Sequence, residues 1–94
     1  MRKIEETTRF KSDFKKIASS GRYKKKDFLE VVKLLINDQT LPAKSRDHNL
    51  VGNWKNYREC HIKPDWLLIY KQYDDKLLLA RTGSHSELCY SNTM

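Results

Sequence analysis

The sequence predicts an α+β domain in which two N-terminal helices, preceded by a short first strand, pack on a small antiparallel β-sheet. Three observations carry this reading. Apolar residues recur at helical spacing in two early segments. Three short runs of branched and aromatic residues, parted by tight turns, follow from residue 56. A chain of 94 residues is also the size of one folding unit, so residues 1–94 are read as a single domain.

The elements follow in order. Ile4 to Thr8 is short and β-prone, a first strand. From Phe10 the apolar residues fall at Phe10, Phe14, Ile17 and Ala18, a helical stripe that Ser19-Ser20-Gly21 ends. Phe28, Val31, Val32, Leu35 and Ile36 mark a second helix, which Asn37-Asp38 closes and Pro42 cannot continue. Leu41 to Asn53 reads as a polar loop. Asn56 to Ile62, Trp66 to Tyr73 and Leu77 to Ser84 are three strands joined by turns at Lys63-Pro64-Asp65 and Asp74-Asp75.

A two-residue turn at Asp74-Asp75 sets Leu68 opposite Arg81, Trp66 opposite Gly83 and residue 65 opposite residue 84. One face then carries Trp66, Leu68, Tyr70, Leu77, Leu79 and Arg81. The other carries Leu67, Ile69, Leu78, Ala80 and Thr82. The second is apolar except for Thr82, so the helices are expected there, leaving the Arg81 face open to a partner.

Composition narrows the function. A mean hydropathy of −0.81 with 2 Trp, 5 Tyr and 3 Phe describes a polar chain with enough bulk for a core. No run approaches the length of a membrane span, and the N-terminus lacks the apolar stretch of a secretory signal. Cys60 and Cys89 have no metal or redox spacing and read as reduced thiols of a cytoplasmic protein.

The net charge of +7 is confined to one end. Residues 1–26 hold ten basic groups, among them Lys15, Lys16, Lys24, Lys25 and Lys26, against three acidic ones, while the remainder is neutral. Such a face suits a nucleic acid, an acidic protein partner, or no partner beyond water. Lys24-Lys25-Lys26 at a helix start opposes the helix dipole, a placement that local stability does not favour.

The histidines carry the chemistry. The chain has three, His48, His61 and His85. The meander brings His61, Asp65 and His85 to one end of the sheet, and the preceding loop can fold His48 over the same end. Cleavage of RNA by its own 2′-hydroxyl needs a base for the hydroxyl proton, an acid for the departing 5′-oxygen and a cation for the crowded phosphorane. Two histidines with Arg81 or Arg58 supply all three without metal. By composition alone, surface and turn histidines without catalytic work remain the simpler reading. A zinc site is disfavoured because no paired ligand spacing occurs.

Three blocks are specific when found in this order: Asp47-His48-Asn49-Leu50-Val51-Gly52-Asn53-Trp54, the run Tyr57 to Tyr70 containing His61-Ile62-Lys63-Pro64-Asp65-Trp66, and Arg81-Thr82-Gly83-Ser84-His85-Ser86-Glu87-Leu88. Across essentially the whole chain they resemble the YafQ-type branch of the RelE/ParE toxin superfamily. That resemblance implies a RelE-like fold and a type II toxin that enters the ribosomal A site and cuts the mRNA being translated. It implies a cognate acidic antitoxin and no metal or other cofactor. His48 and His85 would form the acid–base pair, with His48 as base and His85 as acid. His61 would contribute to the site and Asp65 would orient a histidine or substrate, while Arg81, on its charge and face more than on the resemblance, is the candidate to stabilise the phosphate. Lys15, Lys16, Lys24, Lys25, Lys26, Arg58 and Tyr90 would contact RNA, including 16S ribosomal RNA of the 30S subunit.

Two departures stand out. Asn49 replaces the usual proline after the loop histidine. Cys89 takes a position the family often gives to phenylalanine, with Tyr90 one residue later. The same fold also hosts gyrase-directed toxins and could serve a plain RNA-binding module. Neither alternative needs the three histidines.

Overall fold

The computed structural model describes residues 2–21 and 23–88, without the side chain of Asn53. Arg22, Cys89 and Tyr90 lie outside the described residues. Strand β1 (Lys3–Glu6) leads into helix α1 (Thr8–Ser20) and helix α2 (Lys25–Ile36). A two-residue strand β2 (His48–Asn49) lies between the 3₁₀ turns Ala43–Ser45 and Gly52–Trp54. Strands β3 (Arg58–Lys63), β4 (Trp66–Gln72) and β5 (Lys76–Gly83) complete a five-stranded sheet in the order β1-β5-β4-β3-β2.

Both helices and the three-stranded meander fall where the sequence places them. The sheet is mixed rather than purely antiparallel, because β1 pairs parallel with β5. The loop expected over 41–53 contributes β2, antiparallel to β3, with His48 opposite Glu59 and Asn49 opposite Arg58. So short a pairing has no alternation for the sequence to display. Local rules account for α1 at both ends. The Thr7 hydroxyl accepts from the Phe10 N–H at 3.0 Å, and Gly21 ends the helix at φ 73°.

The expected face assignment is reversed. The helices pack on Trp66, Leu68, Tyr70, Leu77 and Leu79, to which they bring Phe10, Ile17, Phe28, Val31, Val32 and Leu35. The opposite face, with Leu67, Ile69 and Ala80, is covered by Leu50, Leu88, Trp54 and Tyr57. Trp66 to Tyr70 are all buried, so β4 is apolar on both sides and its pattern cannot say which side receives helices. Bulk decides it. Phe14 packs 4.9 Å from Phe28, and Tyr23 stacks on Trp66 at 4.8 Å, which places the large rings together on the helix side.

The β4–β5 register also slips by one. Gln72 faces Leu77 and Tyr70 faces Leu79, as the two-residue turn requires, but Ile69 then faces Arg81 and Leu67 faces Gly83. Ala80 is the extra residue of a β-bulge. The Thr7 hydroxyl that caps α1 donates to the Ala80 carbonyl at 2.7 Å, and the Thr7 N–H donates to the Leu79 carbonyl at 3.1 Å. Thr7→Ala should therefore cost about 1–2 kcal/mol and lower Tm by roughly 4–8 °C per kcal/mol. Thr7→Ser, which keeps the hydroxyl, should restore most of that loss in a thermal melt.

Candidate active site

The bulge decides what faces what at the end of the sheet. Carried two residues beyond Leu67 and Gly83, the shifted register sets Asp65 against His85 rather than Ser84. Asp65 Oδ1 accepts from the His85 backbone N–H at 3.0 Å and pairs with His85 Nδ1 at 2.8 Å. Asp65 is itself anchored from the helices, since the Tyr23 hydroxyl donates to its carbonyl at 3.0 Å.

His85 begins a turn built by its own block. The Ser84 N–H donates to Glu87 Oε1 at 2.8 Å, and the Glu87 N–H donates to Ser84 Oγ at 3.2 Å, a reciprocal capping box. Leu88 is buried and ties the turn to the sheet. A Cβ on Gly83 would stand 3.0 Å from Glu87 Oε1 and 3.3 Å from Glu87 Cβ, so glycine is what lets Glu87 fold back.

His61 lies on the sheet face away from the helices, its ring centroid 5.4 Å from that of His85. Its Nδ1 is buried without a hydrogen-bond partner. Burial lowers its pKa most; the Glu59 charge works in the opposite direction, and His85 and Arg46 add to the lowering. A neutral His61 is therefore favoured, with a lone pair able to accept a proton.

His48 joins the same face through Glu59. Its Nδ1 lies 2.7 Å from the Arg46 carbonyl, and its Nε2 lies 3.3 Å from Glu59 Oε1. A carbonyl can only accept, so Nδ1 carries a proton, and Nε2, facing the Glu59 carboxylate, is the nitrogen that gains or loses one. Three histidines and two carboxylates thus share one exposed face, as the sequence anticipates for His61, Asp65 and His85. Glu59 stands two residues before His61 in the sequence, and its position opposite His48 depends on β2.

Both arginines are held elsewhere. Arg81 makes a two-point pair with Asp13 of α1, Nε to Oδ2 and Nη2 to Oδ1 both at 2.9 Å. It lines a cavity of about 210 Å³ with Lys16 and Glu87. Arg58 points to the helix side of the sheet. There it binds Asp47 through Nε and Nη2, both at 3.1 Å, and the Asn49 side chain through Nη1 at 2.6 Å. The Tyr70 hydroxyl donates to the same Asp47 carboxylate at 2.5 Å. Asp47 pushes the Arg58 pKa up, and burial does the same to the Tyr70 phenol. Asn49, where the family often has proline, is thus stapled by a side chain instead of stiffened by a ring.

Among the predicted RNA-contacting lysines, Lys15 and Lys25 are exposed on α1 and α2. Lys24 and Lys26 line a groove of about 470 Å³ together with Lys63, Tyr23 and Asp65. Positive charge therefore reaches the residue that holds His85. Tyr90 lies outside the described residues. Cys60 is fully buried and burial raises its thiol pKa strongly, which removes it as a nucleophile. Among the described residues no group of three or more His, Cys, Asp or Glu side chains is arranged to hold a metal ion. No helix among them is long and apolar enough to cross a membrane.

This fold, with its histidines and carboxylates on one sheet face, is that of a bacterial toxin of type II toxin–antitoxin systems. The YafQ toxin model, whose description names that class, matches residues 2–90, and the chain belongs to the YafQ family. It is 40% identical over 89 residues to the mRNA interferase toxin YafQ of Escherichia coli K12, covering 93% of this chain and 95% of that one. The Escherichia coli DinJ–YafQ complex contains a chain 40% identical, with TM-score 0.81, covering 94% of this chain and 98% of its own. A copper-bound mutant toxin from Helicobacter pylori is 43% identical, with TM-score 0.88, over 94% of this chain and 99% of its own.

Replacing Arg58 with Met separates two roles. Loss of a clamp should cost about 1–3 kcal/mol and speed amide exchange at residues 46–50, with the salt dependence of RNA binding unchanged. An RNA contact would instead reduce the salt slope by about one and leave stability intact.

Proposed function

We propose that this toxin is an endoribonuclease that cuts mRNA in the ribosomal A site by metal-independent acid–base chemistry, and that an acidic antitoxin masks its basic helices. The observation that carries this reading is the His61–His85–Asp65 cluster, joined to His48 through Glu59 on one exposed face. Asp65 receives the Nδ1 proton of His85, which leaves Nε2 to protonate the departing 5′-oxygen. His48, with Nδ1 committed to the Arg46 carbonyl, takes the 2′-hydroxyl proton at Nε2. The 2′-oxygen then attacks the adjacent phosphorus, giving a 2′,3′-cyclic phosphate and a free 5′-hydroxyl. His61, kept neutral by burial, is a second acceptor beside them. Arg81 reaches the phosphorane by exchanging Asp13 for phosphate.

The basic segment supplies the electrostatic attraction. Lys24, Lys25 and Lys26, with Lys15 and Lys16 on α1, face 16S ribosomal RNA, and the groove ending at Asp65 leads that charge to the histidines. An antitoxin partner accords with the complex known for the Escherichia coli relative. The work is cytoplasmic, where translation occurs.

Mapping mRNA ends in a reconstituted translation reaction tests the reading. In-frame A-site cuts should survive chelator and fall at least about 100-fold in His85→Ala, with the fold and antitoxin affinity retained. A fully active His85→Ala would overturn the acid assignment. A folded wild type that cuts nothing would overturn the nuclease. Reversing the charges of Lys24, Lys25 and Lys26 should weaken ribosome binding and flatten its salt dependence. Unchanged binding at raised salt would leave those lysines a role in solubility alone.

A further inference from the structure

The mechanism above uses three histidines and Asp65 but assigns nothing to Glu59, although Glu59 lies between two of them. Its side chain is only 8% exposed. It stands opposite His48 across the β2–β3 pair, and His61 follows two residues along the same strand on the same face. Cross-strand, it faces Ile69, part of the apolar layer with Leu50 and Leu67. Burying a carboxylate there costs stability that a hydrophobic residue of similar size would not, so packing does not explain it.

We propose that Glu59 is a positioning residue shared by two histidines: its carboxylate holds the Nε2 side of His48 and supplies counter-charge to whichever of His48 and His61 carries the 2′-hydroxyl proton. The inference rests on the reaction proposed above and adds a residue to it. The surroundings define its reach. His48 meets Glu59 on one side and the Arg46 carbonyl on the other. Around His61 stand Glu59, His85 and Arg46, with a backbone group of Ser45, and among these charges only Glu59 favours the protonated ring. Asp65 acts one residue further out, on His85. Each end of the site thus has its own carboxylate, Asp65 for His85 and Glu59 for His48 and His61.

Glu59→Gln removes the charge at nearly constant shape, and Glu59→Asp keeps it. Ring titration of His61 by NMR in the free toxin should move to lower pH in E59Q and stay near the wild-type position in E59D, because removing a negative neighbour disfavours the imidazolium. In ribosome-dependent cleavage, E59Q should lower kcat about tenfold or more with KM little changed. The acidic limb of its pH profile should move to lower pH, and E59D should recover part of the rate. An E59Q whose His61 titration and pH profile match the wild type overturns the proposal. The ring titrations use no RNA, so a toxin that cleaves nothing would overturn the reaction while the Glu59 coupling stood.

Discussion

One extra residue in β5 governs the arrangement of this domain. With Ala80 bulged out, every pairing beyond it shifts by one, and Thr82 comes to face Leu68 on the helix side. Its hydroxyl accepts from Trp66 Nε1 at 2.8 Å and donates to the Leu67 carbonyl at 2.7 Å, which satisfies a buried indole N–H in the core. The same shift brings the Thr82 N–H and the Arg81 guanidinium to Asp13. It also sets Asp65 against His85. A bulge leaves a carbonyl outside the ladder, and the hydroxyl that caps α1 takes it. Helix start, strand register and the carboxylate that holds His85 are therefore linked through one threonine and one alanine.

The second constraint is that β4 is buried on both faces. Its helix side holds the aromatic core, and the histidines lie on the other side. That side is covered only by Leu50, Leu88 and the aromatic pair Trp54 and Tyr57, whose rings meet edge to face at 5.2 Å. A thin cover leaves the histidine end of the face open to a strand of RNA while the centre of the sheet stays dry. Neighbours in β3 divide accordingly. Arg58 reaches back to fix the loop that carries His48, and Glu59 reaches forward to the histidine itself. Alternation along a strand lets two adjacent residues hold one loop from opposite faces.

The motif blocks become physical requirements in this setting. Gly83, Ser84 and Glu87 form one capped turn whose product is the position of His85. Tyr23 and Trp66 tether the turn that presents Asp65. The lysines at the start of α2, placed against the helix dipole, line a groove that ends at that same aspartate. Asn49 trades a rigid proline for a hydrogen bond from Arg58, so the loop histidine keeps a fixed mount by a different means.

What the sequence determined by itself is what local periodicity and turn chemistry encode. Both helices with their stops, the three strands, the concentration of charge before residue 27 and the meeting of His61, Asp65 and His85 at one sheet end were all legible. The three blocks identified the family on residue order alone. Only the tertiary structure decided which face of β4 the helices cover, because a strand apolar on both sides has no alternation to read. It also decided the slip at Ala80, whose carbonyl finds its partner 73 residues away in Thr7. The two-residue β2 and the partners of Arg58, Arg81 and Glu59 likewise follow from contacts distant in the chain. A charge in a sequence shows what it could attract, and the fold shows which partner is within its reach.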